Sequence, residues 1–171
     1  IQASGTIVNG LKKTYSKKTK FNPVNDYGKS KLKGDNLIKS TKCKYTILRF
    51  GGIYGKGGPS HLGINNFIKL AIKNKKIIFN GNKNSLRNYI FVNDAANVIL
   101  NCLKHKRYGI YYVGGEIITF KRMLESINKV LSKKKNLIFF DKNNKKIDNQ
   151  VIKTDKIIKH TSFINSLKLI K

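Results

Sequence analysis

The residues of this sequence best suited to chemistry are a tyrosine and a lysine four positions apart, Tyr27 and Lys31, in the run DYGKSKL. Residues four apart on an α-helix lie on one face, so the lysine ammonium can stand beside the phenol. A free phenol titrates near pH ~10, and a neighbouring cation favours the phenolate. The spacing therefore indicates a general acid or base. The alternative is a solvated structural pair, because this spacing arises easily in a lysine-rich chain.

A helix around this pair is expected on local grounds. Asn22 followed by Pro23 is typical of an N-cap and a first helical residue. Leu32, Leu37 and Ile38 would then supply the apolar side of the helix. The sequence thus predicts a helix that presents Tyr27 and Lys31 on one face.

Strands and helices alternate along the rest of the chain. Short apolar runs predict strands at 45–50, 77–79, 89–92 and 110–113. Apolar residues at helical spacing predict helices at 64–74, 94–104 and 119–132, the last with Thr119 as its N-cap. This alternation implies a parallel α/β sheet with helices packed on it.

Four segments form a larger pattern: SGTIVNG (4–10), YGKSK (27–31), ILRFGGIYG (47–55) and RNYIFVND (87–94). In this order they closely resemble the extended short-chain dehydrogenase/reductases, and within them the NAD-dependent nucleotide-sugar epimerase/dehydratase group, which includes UDP-glucose 4-epimerases. The resemblance runs almost end to end. It leaves out the family's first part, where a glycine-rich loop cradles the dinucleotide pyrophosphate. We therefore expect the C-terminal part of such an enzyme, inactive without its N-terminal part.

The resemblance implies an α/β fold with a partial Rossmann-type doubly wound parallel sheet and a smaller, interleaved α/β substrate domain. Residues 1–55 and 88–113 would complete the NAD-binding domain, and residues 56–87 and 114–171 would form the nucleotide-sugar-binding domain. The substrate would lie between them, above Tyr27. A homodimer of the full-length enzyme is one assembly that this family permits.

The family's mechanism assigns roles to residues of the tyrosine helix and the strand after it. Tyr27 would take a proton from a sugar hydroxyl as hydride passes to the nicotinamide of NAD, with NADP as the alternative cofactor. Lys31 would bind the nicotinamide ribose and assist Tyr27. Phe50 and Gly51 would border the nicotinamide. The product of this step is a transient keto-sugar, which an epimerase or a dehydratase then processes differently.

Two residues are assigned to the nucleotide-diphosphate sugar. Gly52 would lie near the sugar, and Arg87 matches the family's arginine that pairs with a substrate phosphate through a bidentate fork. The structural alternative for Arg87 is a surface arginine that caps a turn. Asp94 is expected to be a carboxylate at a helix N-terminus, stabilised by the helix dipole rather than catalytic.

Several positions depart from the family pattern. The catalytic Ser or Thr falls on Gly5, so its flanking residues Ser4 and Thr6 become the candidates for the hydroxyl. The family's tyrosine before the glycine is Asn9, and its substrate-contacting asparagine falls on Gly52. The arginine of a late Arg-Pro-Gly-Asp-like segment is replaced by Lys145. A reductase-like or non-catalytic relative that binds a nucleotide or a protein partner therefore stays open.

The amino-acid composition limits which other classes of protein this chain could belong to. The chain has 36 Lys and Arg against 8 Asp and Glu, a formal net charge of +28, which suits a nucleic-acid partner. The lysines are spread along the whole chain instead of forming one stripe, so we expect no specific nucleic-acid partner. The two cysteines and three histidines have no metal-ligand spacing, and no apolar run is long enough for a membrane span. We expect a cytoplasmic protein with reduced thiols, no metal and no membrane association.

Overall fold

The structure is a computed structural model that describes residues 1–134, 137–140 and 146–171. Within these residues the strands are Gln2–Gly5 (β1), Thr14–Tyr15 (β2), Thr46–Phe50 (β3), Ile53–Tyr54 (β4), Ile77–Phe79 (β5), Leu86–Arg87 (β6), Ile90–Phe91 (β7), Gly109–Val113 (β8), Ile118–Thr119 (β9), Ile138–Phe140 (β10) and Val151–Ile152 (β11). The α-helices are Asp26–Ser40 (α1), Gly63–Ile72 (α2), Val92–Lys104 (α3), Phe120–Leu131 (α4) and Phe163–Ile170 (α5), and a 3-10 helix, Thr6–Asn9 (η1), follows β1. None of the helices in these ranges combines the length and the apolar composition that crossing a membrane requires.

A parallel sheet of order β1-β3-β8 forms the centre of the fold. Its register aligns Gly5 with Phe50 and Phe50 with Val113, so the three strands end at one edge. All five residues of β3 are buried, and its two polar side chains, Thr46 and Arg49, form hydrogen bonds to other parts of the chain. Shorter pairs extend the structure around this sheet: β4 with β7, β10 with β5 and β11 with β2 in parallel, and β6 with β9 antiparallel.

The core contains two large apolar clusters. One lies between β3, β8 and α3 and includes Leu48, Val98 and Val113. The other joins α2, α4 and α5 and includes Ile64 and Leu124. The α/β architecture predicted from the sequence is thereby confirmed. The division into two interleaved domains stays a prediction.

The predicted helix at 119–132 is confirmed as α4, where the Thr119 hydroxyl accepts a hydrogen bond from the Arg122 amide at 3.2 Å. The predicted cap of α1 was wrong. This helix begins at Asp26, and the side chain of Asn25 caps it by accepting from the Gly28 amide at 2.8 Å. The Asn22 amide instead donates to the Val8 carbonyl at 3.1 Å, which keeps the preceding segment outside the helix.

The buried face of α1 also differs from the expectation. Leu37 is 68% exposed, and the residue that α1 buries completely is Asp35. Its carboxylate forms an ion pair with Arg49 of β3, 3.1 Å between Oδ2 and Nη2, and accepts from the Ser4 hydroxyl at 3.1 Å. Arg49 also donates to the Tyr112 hydroxyl at 2.7 Å. This polar cluster fixes the helix that carries Tyr27 to all three strands of the sheet.

Candidate active site

A cleft of about 620 Å³ opens where β1 and β3 end. Its walls come from η1, the start of α1, and the loop between β4 and α2. In open parallel sheets, ligands bind at the carboxyl ends of the strands. Of the residues predicted from the sequence, this cleft brings together Ser4, Thr6, Tyr27, Phe50, Gly51 and Gly52.

Tyr27 and Lys31 lie on one face of α1, as predicted. Tyr27 is 63% exposed at the wall of the cleft, and no described residue hydrogen-bonds its hydroxyl. The Lys31 ammonium lies 5.7 Å from the centroid of the Tyr27 ring and donates to the Ala3 carbonyl at 3.3 Å. The lysine is therefore anchored to β1 while the phenol stays available to a ligand.

Gly28 explains how α1 approaches the cleft so closely. A Cβ at this position would lie 3.0 Å from the Ile7 carbonyl oxygen and 3.0 Å from the Pro23 Cβ. The missing side chain lets the first turn of α1 pack against η1. Tyr27, the preceding residue, consequently reaches the same cleft as Thr6 and Ile7.

The two candidate hydroxyls near Gly5 have different surroundings. The Ser4 hydroxyl donates to the buried Asp35 carboxylate, and the residue is 8% exposed. Thr6 lines both the main cleft and a smaller pocket beside it. Of the pair, Thr6 is the residue whose hydroxyl has no assigned partner in the described part of the chain.

Phe50 and Gly51 lie at the floor of the cleft. Phe50 is 4% exposed and belongs to the apolar cluster under α3. The Gly51 amide donates to the Val113 carbonyl at 3.0 Å, and a Cβ on Gly51 would lie 2.7 Å from Ile152 Cδ1. The backbone of the chain, rather than side chains, thus forms this part of the surface.

A smaller pocket of about 190 Å³ adjoins the cleft and contains Arg87. The Arg87 Nη2 donates to the Asp148 carboxylate at 2.8 Å, and its Nη1 donates to the carbonyls of Asp148 and Leu86. The guanidinium also lies 5.1 Å from the Phe120 ring centroid. Its bidentate fork is therefore engaged within the protein. The late-segment position Lys145 lies outside the described residues.

Asp94 has the structural role that was expected for it. It lies in the first turn of α3 and is buried. Its carboxylate accepts from the amide and the hydroxyl of Thr161, both at 2.8 Å. The carboxylate ties the segment before α5 to the start of α3.

Sequence reasoning missed several residues of the site. Tyr15 and Gln150 line both the cleft and the smaller pocket, and His61 lines the cleft. Tyr15 and Gln150 lie in or next to β2 and β11, strands of two residues each. Such short strands leave no periodic signal in the sequence, so pairing between distant segments is what places these side chains.

Comparison with known proteins identifies a family and a fold. The model of the NAD dependent epimerase/dehydratase family matches residues 1–114. Over 111 residues the chain is 30% identical to a dTDP-D-glucose 4,6-dehydratase of Dictyostelium discoideum, a match that covers 62% of this chain and 26% of that protein.

Two solved structures have the same fold. The match to the dTDP-glucose 4,6-dehydratase of Bacillus anthracis, solved in complex with NAD, covers 99% of this chain and 59% of that enzyme, with a TM-score of 0.79 at 21% identity. The match to the UDP-glucuronic acid 4-epimerase of Bacillus cereus, also solved in complex with NAD, covers 98% of this chain and 57% of that enzyme, with a TM-score of 0.82 at 20% identity. These likenesses confirm the Rossmann-type fold, and the chain spans less than two thirds of either enzyme.

Proposed function

This chain belongs to the NAD-dependent epimerase/dehydratase family, and on that premise we propose that it carries the acid–base residues and the sugar-side pocket of an enzyme that acts on a nucleotide-diphosphate sugar. The reaction passes through a transient keto-sugar. The observation that carries this proposal is the Tyr27 phenol, which lies unpartnered among the described residues at the wall of the cleft, with the Lys31 ammonium fixed beside its ring.

Tyr27 acts as the proton acceptor and donor. Its phenolate takes the proton of a sugar hydroxyl as the carbon–oxygen bond becomes a carbonyl, and later returns it. The Lys31 ammonium, held by the Ala3 carbonyl, keeps a positive charge beside the Tyr27 ring during this exchange. The Thr6 hydroxyl donates to the same sugar oxygen and so replaces the family's catalytic hydroxyl, which Gly5 lacks; its place in the lining of both the cleft and the smaller pocket supports this role.

The cleft fits the nicotinamide end of NAD. Gly5 and Gly51 bring the backbone close to the cleft, and Ile7, Phe50 and Val92 give it apolar surface that suits a flat ring. When bound, NAD would accept the hydride from the sugar carbon and later return it. NADP is the alternative.

The smaller pocket is the proposed place of the sugar and its diphosphate. Gly52 and Arg87 both line it, and the positive charge of Arg87 favours phosphate. An epimerase would return hydride to the opposite face of the ketone, and a dehydratase would lose water first. The residues of this pocket are compatible with either outcome.

A second candidate is a non-catalytic relative that binds a nucleotide. The observation that favours it is the missing hydroxyl at Gly5, together with the engagement of the Ser4 hydroxyl by Asp35. In this reading Thr6 does not compensate, and the cleft binds a ligand without turnover.

Turnover separates the two candidates. The full product of the gene is assayed with NAD and a panel of UDP-, dTDP- and GDP-sugars, as wild type, as Tyr27→Phe and as Tyr108→Phe. Tyr108 is a half-exposed tyrosine outside the cleft lining, and its variant should keep wild-type turnover. Loss of turnover in Tyr27→Phe alone supports the enzyme. Absence of turnover in the wild type, with NAD still bound, refutes it in favour of the non-catalytic relative.

A further inference from the structure

The position of Thr6 depends on η1, the four-residue 3-10 helix that follows β1. The strand itself is fixed by its pairing with β3, which aligns Gly5 with Phe50. This pairing ends at Gly5, one residue before Thr6. The contacts that hold η1 in place must therefore come from elsewhere in the chain.

Asn9, the last residue of η1, is completely buried and forms hydrogen bonds in two directions. Its Nδ2 donates to the Thr19 carbonyl at 2.9 Å, in the loop before α1. Its Oδ1 accepts from the Tyr112 hydroxyl of β8 at 3.1 Å. A 3-10 helix has three residues per turn, so Asn9 lies one turn after Thr6. The bond to Tyr112 therefore ties the turn that carries Thr6 to the central sheet.

The Tyr112 hydroxyl is the middle of a longer series of buried hydrogen bonds. It accepts from Arg49 Nη1 at 2.7 Å and donates its own proton to Asn9. The other end of the Arg49 guanidinium pairs with the Asp35 carboxylate of α1. Since the donors all point the same way, from the guanidinium through the phenol to the amide, each bond strengthens the next.

This series of bonds reaches the face of α1 that carries the acid–base pair. Tyr27, Lys31 and Asp35 follow one another at intervals of four residues, so they lie along one side of the helix. Through Asp35 the position of η1 is therefore connected to the position of the Tyr27 phenol.

Asn9 is also a position where this chain departs from the family, whose pattern has a tyrosine there. An amide carries an acceptor and donors on one short side chain, and Asn9 uses both. Gly5, the other departure in this segment, removes the family's catalytic hydroxyl. One substitution thus creates the need for Thr6, and the other supplies the bond that holds its helix.

We propose that Asn9 and Tyr112 are positioning residues, which hold η1 so that the Thr6 hydroxyl meets the same sugar oxygen as the Tyr27 phenol. This inference rests on the proposed function, because it requires Thr6 to take part in turnover. Neither Asn9 nor Tyr112 lines the cleft or the smaller pocket, so both act through Thr6.

A double-mutant cycle on kcat tests this role in the full product of the gene, assayed with NAD and a nucleotide sugar that the wild type converts. Tyr112→Phe keeps the ring in the core and removes the hydroxyl. It should lower kcat about tenfold and leave KM nearly unchanged, since a misplacement of about 1 Å can cost up to ~100-fold in rate. In a Thr6→Ala background the same substitution should lower kcat no further, because the group that it positions is gone.

Two further variants complete the design. Tyr111→Phe is the matched control on the same strand, because its hydroxyl donates to the Tyr108 carbonyl at 3.0 Å, and it should keep the wild-type kcat. Asn9→Ala breaks the series of bonds on the other side of the Tyr112 hydroxyl and should lower kcat with the same dependence on Thr6. Urea melts of each variant give the folded fraction, by which kcat is corrected.

The outcomes separate the inference from the function on which it rests. If the wild type converts a nucleotide sugar and Tyr112→Phe keeps its kcat, the inference fails and the proposed function stands. Losses that multiply in the double variant would also overturn the inference, because Tyr112 would then act independently of Thr6, as a merely structural residue does. If the wild type converts none of the nucleotide sugars although it binds NAD, the proposed function fails and the inference fails with it.

Discussion

Removing one charge of the buried Asp35–Arg49 pair should destabilise the fold strongly. The two side chains are 0% and 2% exposed, and their closest N–O distance is 3.1 Å. Asp35→Asn leaves the Arg49 charge buried without its counter-ion, at a cost of about 3–5 kcal/mol. Domains of this size are typically stable by only about 5–15 kcal/mol. The single substitution should therefore remove a large part of the free energy of unfolding.

Urea denaturation at neutral pH measures this cost, with an unchanged m-value as evidence that the transition is still two-state. The matched control is Asp26→Asn on the same helix, because the Asp26–Lys29 pair has the same 3.1 Å distance but is exposed to solvent. We expect little change in that variant. The double variant Asp35→Leu/Arg49→Met should recover much of the loss, since an apolar pair leaves no buried charge.

Two results would refute this reasoning. In the first, Asp35→Asn is no more destabilising than Asp26→Asn, which would mean that the buried pair contributes nothing beyond a surface pair. Alternatively, the double variant could be less stable than Asp35→Asn itself. Arg49 would then be needed for its bond to the Tyr112 hydroxyl, and not only for neutralising Asp35.

Two further predictions follow from the same structure. Thr6→Ala should lower the turnover of the full gene product with little change in stability. Ser4→Ala should keep turnover but lower the free energy of unfolding by about 1 kcal/mol, because it loses a buried hydrogen bond. Steady-state kinetics and urea melts of both variants separate these two roles, and equal effects of the two substitutions on turnover would contradict them. Burial raises the pKa of Tyr54 above its ordinary value of 10.0, so the folded state retains a proton that the unfolded state releases. The free energy of unfolding should therefore fall as the pH rises past ~10. Tyr54→Phe should make this fall smaller in urea melts taken between neutral and alkaline pH. If the free energy of unfolding of Tyr54→Phe depends on pH as steeply as that of the wild type, Tyr54 is not the group responsible.

The longer helices and the central strands β3 and β8 were predictable from the sequence, whereas α5 and several strands, β1 and β10 among them, were not predicted. The apolar stripe of α4 and its Thr119 cap were found because a long periodic segment carries its own signal. The start of α1 was misplaced because Asn22 and Asn25 are both suitable caps locally. The hydrogen bond from the Asn22 amide to Val8 decides between them, and that contact depends on how the chain packs.

The site was predictable only in part. Tyr27 and Lys31 share a helix, so their spacing alone predicts that they meet on one face. The hydrogen bond from Arg87 to the Asp148 carboxylate joins residues 61 positions apart, so no local sequence pattern predicts it. A Cβ on Gly52 would lie 2.6 Å from Cδ1 of the Tyr89 ring, a close approach that likewise depends on tertiary packing, although the missing side chain at Gly52 was visible in the sequence.

The wall of the site that carries Tyr15 joins two segments that lie far apart in the sequence. It is formed by the two-residue pairing of β2 with β11, which closes a loop spanning most of the chain. Closing such a long loop costs conformational entropy, and a two-residue strand pairing supplies few hydrogen bonds in exchange. Bonds outside the ladder offset part of this cost, because the Asn88 side chain makes two hydrogen bonds to the Ile152 backbone and Tyr15, Tyr112 and Ile152 form a small buried cluster. A substitution in β2 should therefore act on the smaller pocket through β11, although the two strands lie near opposite ends of the described chain.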